Sequence, residues 1–252
     1  MPDRREYHKR REPATPGSIA DVLGMFSAEV RFYREIAPMV GVRVPECYRA
    51  EDGPSGTLLV LEDLSDWAPD ADPVAYAGLL RDLHTRWRGI APNRWPWLRQ
   101  PGAAATEIAE LYARVWPSLS EHQGLTARVR EIGARLLDGV AVSSWHRAAT
   151  LCHGDASARN ARTSASGEIA LVDWEDVNAG DGLDDVAWLL VSSVPPDRWD
   201  ETIDAYGVVD GWDAVWPEAI QQGLLSLSDD PSGPDAGGWC TRLASAGERL
   251  AG

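Results

Sequence analysis

The chain has 252 residues, 44% hydrophobic and 25% charged, enough to bury a sizeable core in one large domain or two small lobes. With 24 basic against 39 acidic side chains its formal charge is −15, which argues against a nucleic-acid or anionic-membrane surface. Such an acidic surface either serves solubility or attracts cationic substrates.

Residues 1–17 are polar and basic, closing with Pro13 and Pro16-Gly17. Ser18, with Asp21 three residues on, marks a helix start. Val22, Met25, Phe26, Val30, Phe32 and Tyr33 carry that helix to about Pro38. Residues 41–45 break the chain, 46–50 form a short strand, and DGPSG at 52–56 is a strong turn signal. Residues 57–61 are its hairpin partner, followed at once by Glu62, Asp63 and Leu64. Helix plus hairpin make a small α+β lobe, and residues 62–72 read as a connector. Helical patterns then cover 73–89, 103–116 and 124–138. Short strands at 150–152 and 168–172 flank a polar loop and the SASG turn at 164–167. Helices resume at 184–193, 197–206 and 212–227, and a loop rich in Asp, Gly, Pro and Ser at 229–239 precedes a final short helix. The expected fold is α+β in two lobes, residues 1–66 and a larger, mainly helical lobe of residues 67–252.

Three cysteines (Cys47, Cys152, Cys240) fall in no metal-ligand spacing and fit a reducing cytoplasm. The N-terminal segment lacks the apolar stretch of a signal peptide, and the longest aliphatic runs are far too short to span a bilayer. The chain is therefore expected to be soluble and cytoplasmic, with neither nucleic-acid nor membrane partners.

The chemistry concentrates in LCHGDASARN (151–160) and IALVDWE (169–175). In each, an apolar strand ends at polar residues that are expensive to bury unless they are used. Phosphoryl transfer needs a carboxylate to accept a hydroxyl proton and hard oxygen ligands for Mg²⁺ beside the phosphates. Asp155 and Asn160 share one loop, and a hairpin brings Asp173 back toward Asn160. The bland alternative is a set of loop polars with Asp155 as a turn residue.

The run His-Gly-Asp-x-x-x-x-Asn followed by Asp-Trp-Glu resembles the aminoglycoside phosphotransferase and choline-kinase-like branch of the protein-kinase-like fold. The resemblance implies Asp155 as catalytic base, His153 as a brace for its loop, and Asn160 and Asp173 as Mg²⁺ ligands, with Glu175 assisting a second metal. GDGLDDVA (180–187) is similar to the family's Gly-Asp-Pro-x-x-Asp-Leu-Ala, with Gly182 in place of proline. There Asp185 matches the aspartate that supports the catalytic loop. Capping of the next helix by Asp184 or Asp185 is the compatible plain reading, and Asp181 could instead face the acceptor.

In the small lobe, Glu29 matches the glutamate that pairs with a phosphate-binding lysine. Lys9 is the only lysine in the chain and lies twenty residues earlier. Its alternative is membership of a solvated basic arm with Arg4, Arg5, Arg10 and Arg11. Glu62, Asp63 and Leu64 match the hinge whose backbone binds adenine. No G-x-G-x-x-G run exists, so the small lobe lacks the usual phosphate-covering loop. The implied activity is transfer of the γ-phosphoryl of ATP or GTP, with Mg²⁺, to the hydroxyl of a small-molecule acceptor; the rival is a non-catalytic, pseudokinase-like binding protein. The twelve tryptophans, Trp145 among them, read as core packing. His84 reads as a satisfied structural histidine, and His146 and His153 lack a third ligand for zinc.

Overall fold

The computed structural model describes residues 5–100, 102–138, 148–207 and 210–250; Trp145 and His146 lie outside them. Part of the basic N-terminal segment is a strand rather than a solvated arm. Strand β1 (Glu6–Arg11) runs antiparallel to β3 (Gly56–Glu62), which also pairs with β2 (Cys47–Gly53), giving the order β1-β3-β2. Hydropathy hides β1 because its two more protected residues, Lys9 and Arg11, meet carboxylates rather than a core. The β2–β3 hairpin closes at the Gly53–Gly56 pair. Gly56 has φ +108°, and a Cβ there would lie 2.0 Å from the Arg11 carbonyl oxygen, so only glycine lets β1 approach.

The single helix expected over 18–38 is broken. Ser18 does cap α1 (Ile19–Val22), accepting from the Asp21 amide, but Gly24 is left-handed at φ +59° and ends that helix. Helix α2 (Met25–Arg31) follows, widens into a π turn at Phe32–Ile36 and tightens into a 3₁₀ turn at Ala37–Met39. The widened turn buries Phe32, Tyr33 and Ile36 together, and the Phe32 ring stacks on Trp174 at 4.0 Å between centroids. That contact ties the helix of the small lobe to the segment carrying Asp173.

The connector contains β4 (Ala68–Pro69), which pairs with β6 (Ala161–Thr163); β6 in turn pairs with β7 (Ile169–Leu171). The larger lobe then consists of α3 (Pro73–Trp87), α4 (Ala91–Arg94), α5 (Ala105–Leu119) and α6 (Ala127–Arg135), the antiparallel pair β5 (Thr150–Cys152) and β8 (Asn178–Gly180), and α7 (Gly182–Ser193), α8 (Trp199–Tyr206), α9 (Trp212–Asp229) and α10 (Ala236–Arg249). Helix α7 is apolar on nearly every side, as a central helix must be, and α3, α9 and α10 pack around it. Helix α10 is longer than the short helix expected from sequence. Two glycines open it, but burial of Cys240, Leu243 and Ala246 outweighs their low helix propensity. Seven tryptophans (87, 95, 116, 174, 188, 199 and 216) are at most 7% exposed, which is the core role expected of them.

Candidate active site

Strand β5 ends at Cys152 and delivers the chain into a tight loop. Gly154 has φ +87°, and a Cβ there would stand 2.0 Å from the carbonyl oxygen of Asp176. The loop hangs on one carboxylate: Asp185 accepts from the amides of His153 (2.7 Å) and Gly154 (2.9 Å) and meets His84 Nε2 at 3.1 Å. His84 Nδ1 in turn lies 3.0 Å from the Tyr206 hydroxyl. Burial pushes the Asp185 carboxyl up, but His84, His153 and the loop amides outweigh it and hold the carboxyl below its ordinary value. Neither Asp184 nor Asp185 caps α7. Asp181 does, accepting from the Leu183 amide, so its carboxylate is turned to the helix end and not to an acceptor.

His153 is fully buried, with Nε2 3.0 Å from the Val172 carbonyl oxygen and Nδ1 accepting from the Asp155 amide at 3.3 Å. With both ring nitrogens engaged, His153 positions the loop and has no nitrogen left for proton transfer. The Asp155 carboxylate accepts from the Trp188 indole (2.6 Å) and the Asn160 amide (2.8 Å), with Arg159 at 3.3 Å. Burial opposes its ionisation, but Trp188 and the nearby positive charges prevail, so its pKa lies below the usual carboxylate value. Asn160 donates a second bond to the Asp155 carbonyl oxygen, and its own carbonyl accepts from Val172 across the β6–β7 hairpin. Its side-chain Oδ1 accepts no hydrogen bond among the described residues.

One residue past Val172, Asp173 adopts a left-handed conformation, φ 64° and ψ 65°, which costs a non-glycine residue on the order of 1–3 kcal/mol. Lys9 Nζ stands 2.6 Å from Asp173, 2.7 Å from Glu29 and 3.5 Å from Glu175, and Arg11 reaches Glu175 at 2.9 Å. Carboxylate oxygens of Glu29, Asp173 and Glu175 lie within 4.8 Å of one another. Burial alone would lower the Lys9 pKa, but Glu29 and Asp173 outweigh it and raise it. Burial pushes Glu29 up to about 7 against the pull of Lys9, and burial with the neighbouring Asp173 raises Glu175.

The structure thus brings Lys9, Glu29, Asp173 and Glu175 into one cluster, and Asp155 and Asn160 into another beside it. Glu62, Asp63 and Leu64 lie apart, where β3 leaves the sheet. Glu62 pairs with Arg43 at 2.6 Å and accepts from the Glu46 amide at 3.0 Å; Asp63 accepts from the Ser65 amide. The amides of Glu62 and Asp63 are taken by Glu46 and Arg5, which leaves the Asp63 carbonyl and the Leu64 amide unpaired among the described residues. Sequence reasoning missed Trp188, Arg11 and the service of His84 to the loop. Trp188 had a signal in its place three residues after Asp185, on the same helical face.

Beside the loop, a cleft of about 250 Å³ is lined by Gly154, Asp176, Asp184, Trp188, Glu218 and Gln221, among others. A family model described as the phosphotransferase enzyme family matches residues 10–219. The chain belongs to this family. Three solved structures share its kinase-like, two-lobe fold. The aminoglycoside phosphotransferase APH(3'')-Id from Streptomyces rimosus is 18% identical over 87% of this chain and 86% of its own, with a TM-score of 0.56. Choline kinase LicA from Streptococcus pneumoniae is 19% identical over 100% and 87%, TM-score 0.56. The macrolide 2'-phosphotransferase MphH from Brachybacterium faecium is 20% identical over 94% and 84%, TM-score 0.53. A comparison with curated proteins finds no match. No helix among the described residues of this phosphotransferase is long and apolar enough to cross a membrane.

Proposed function

We propose that this phosphotransferase moves the γ-phosphoryl of ATP or GTP to a hydroxyl of a small molecule bound in the cleft beside Asp155. The observation that carries the reading is the placement of Asp155, whose carboxylate is held by Asn160 and by Trp188, a residue of the cleft wall. A general base must be deprotonated and aimed before the alcohol arrives. The low pKa makes Asp155 a modest base, suited to orienting the hydroxyl and taking its proton late in a transition state that demands little covalent help. The Lys9 ammonium, carried on β1 and paired with Glu29, is the compact charge for the nucleotide phosphates. The unpaired Asp63 carbonyl and Leu64 amide offer the adenine edge an acceptor and a donor.

The residues fit Mg²⁺. Asn160 turns its side-chain nitrogen, Nδ2, to Asp155 and keeps Oδ1 free, and the Asp173 and Glu175 carboxylates add hard oxygen ligands of the kind this ion prefers. Asn160 and Asp173, with Glu175 for a second ion, would hold it. It would supply positive charge to offset that of the nucleotide phosphates. The small-molecule classes named by the neighbours, aminoglycosides, macrolides and choline, supply the first acceptors to assay, and the lobes are taken to divide near residue 66.

The test is nucleotide turnover over a panel of alcohols, comparing wild type with Asp155→Ala. Loss of a base of this kind lowers kcat by about 10²–10⁴-fold, and equal turnover in both proteins would remove Asp155 from the mechanism. A parallel thermal-shift titration with Mg·ATP addresses the binding-protein alternative, which the missing glycine-rich run motivates. Saturable stabilisation that needs Mg²⁺ and Asp173, together with turnover, supports the kinase; no shift at millimolar nucleotide overturns it.

A further inference from the structure

Three elements of the larger lobe meet beneath the loop that carries Asp155. Helix α3 brings His84, the end of β5 brings Cys152, and the first turn of α7 brings Asp185. One ligand atom from each, an imidazole nitrogen, the thiol sulfur and a carboxylate oxygen, lies within 4.8 Å of the other two. The three residues are 0%, 1% and 1% exposed in that order, yet Cys152 and Asp185 border the cleft, which gives an ion a way in. Spacing along the chain conceals the set, because its members come from three distant segments. We infer that His84, Cys152 and Asp185 form a binding site for a thiophilic divalent cation of the zinc type, which cross-links α3, β5 and α7 below that loop.

The donor set selects the ion. Sulfur, imidazole nitrogen and a carboxylate oxygen suit zinc and not Mg²⁺; the group of Glu29, Asp173 and Glu175 is the opposite case, with oxygen donors alone. In a tetrahedral site with zinc–nitrogen and zinc–oxygen bonds of about 2.0–2.1 Å, those two ligands stand about 3.3 Å apart, and a sulfur lies about 3.6 Å from each. His84 Nε2 and Asp185 Oδ2 are already 3.1 Å apart, so one edge of the tetrahedron exists. The sulfur has to close by at most about 1.2 Å. Charge balances too. The thiolate and the carboxylate together match a divalent ion, so the interior gains no net charge.

The surroundings hold these ligands as a metal site requires. His84 Nδ1 lies 3.0 Å from the Tyr206 hydroxyl, whose oxygen accepts from Nδ1–H in the bound form and leaves Nε2 bare for the ion. Asp185 is fixed by the His153 amide on Oδ2 and the Gly154 amide on Oδ1. A carboxylate has about four lone pairs. The ion takes the one now turned to His84, so both loop amides keep their acceptor. The Cys152 thiol releases its proton to solvent as the metal–sulfur bond forms, and water from the cleft fills the fourth position. Cys240 also has a histidine beside it, His122 at 3.7 Å, but no third ligand joins that pair among the described residues.

The probes are Co²⁺ and Zn²⁺, added to the reduced, metal-stripped full chain in millimolar Mg²⁺ and without nucleotide. With Cys47→Ser and Cys240→Ser combined, Cys152 is the only thiol left, so a thiolate-to-cobalt charge-transfer band can arise nowhere else. One Co²⁺ per chain should produce that band together with the intense visible bands of a tetrahedral site, and one equivalent of Zn²⁺ should bleach both. Zinc at a hundredfold excess over its dissociation constant should raise Tm by roughly 5–10 °C. In the otherwise wild-type chain, Cys152→Ser should abolish the charge-transfer band, and His84→Gln should weaken zinc by about tenfold or more, with melting in the absence of metal checking that each folds. A folded chain with Cys152 as its only thiol that shows no such band, a band that survives in folded Cys152→Ser, or a Tm that zinc does not raise overturns the proposal. None of these readouts involves phosphoryl transfer, so they are distinct from failure of the kinase reading, which turnover reports.

Discussion

Asp185→Ala removes the acceptor on which the loop carrying Asp155 hangs. In the folded protein it leaves the His153 and Gly154 amides and the His84 ring nitrogen without their shared partner, in a place where Asp185 is 1% exposed. Each buried donor left unmade costs about 1–3 kcal/mol. Relief of the buried carboxylate's desolvation offsets part of this, which leaves a net loss of about 3–5 kcal/mol. For a chain of this size that lowers Tm by roughly 6–20 °C. The assay is thermal and urea unfolding of wild type, Asp185→Ala and Asp185→Asn, with turnover measured at a temperature where all remain folded. Asparagine keeps one acceptor oxygen but turns an N–H₂ toward a donor, so it should fall between. Because the Asp185 pKa is depressed in the folded state, its contribution is present above the unfolded value near 4 and is lost as pH falls through the folded value. The gap between wild type and Asp185→Ala should therefore narrow in acid. A Tm within 2 °C of wild type at pH 7, or a gap that widens on acidification, refutes the reasoning.

Lys9→Met leaves Glu29, Asp173 and Glu175 facing one another without the ammonium; it should cost about 3 kcal/mol, and millimolar Mg²⁺ should raise Tm more in the variant than in wild type, a comparison that differential scanning makes directly. Trp188→Phe removes a hydrogen bond to a charged carboxylate, worth about 1.5–3 kcal/mol. The Asp155 pKa should rise, and the acid limb of the kcat/KM profile should move up by about one pH unit or more; a limb that stays in place separates Asp155 from that ionisation. Gly154→Ala sets a Cβ against the Asp176 carbonyl at a positive φ and should cost about 2–4 kcal/mol, with turnover falling further than stability; normal turnover would show that the loop yields there.

Much of the candidate site's 153–160 loop was legible because its parts are close in sequence. The spacing from His153 to Asn160, and the hairpin back to Asp173, is set by the chain's own covalent reach, so residue types and intervals suffice to group them. Asp185 and the α7 start were readable for the same reason, although the cap fell to Asp181. Strand β1 was not legible: its more protected residues are Lys9 and Arg11, and a polar strand whose partners are carboxylates carries no hydropathy signal. The break at Gly24 and the π turn after α2 were hidden as well, since an apolar period alone does not report a left-handed residue or the packing of Phe32 on Trp174.

By itself the sequence determined that an aspartate, an asparagine and a second aspartate, Asp155, Asn160 and Asp173, occur at the intervals of the family it resembles, and that one lysine stands before Glu29. Only the tertiary structure decided that Lys9 meets Asp173 across 164 residues, that Trp188 holds Asp155, and that His84, Cys152 and Asp185 meet. The reason is physical: local spacing follows from bond lengths and turn geometry. Long-range contact depends on strand register, helix packing and the burial of charge, none of which is written in neighbouring residues.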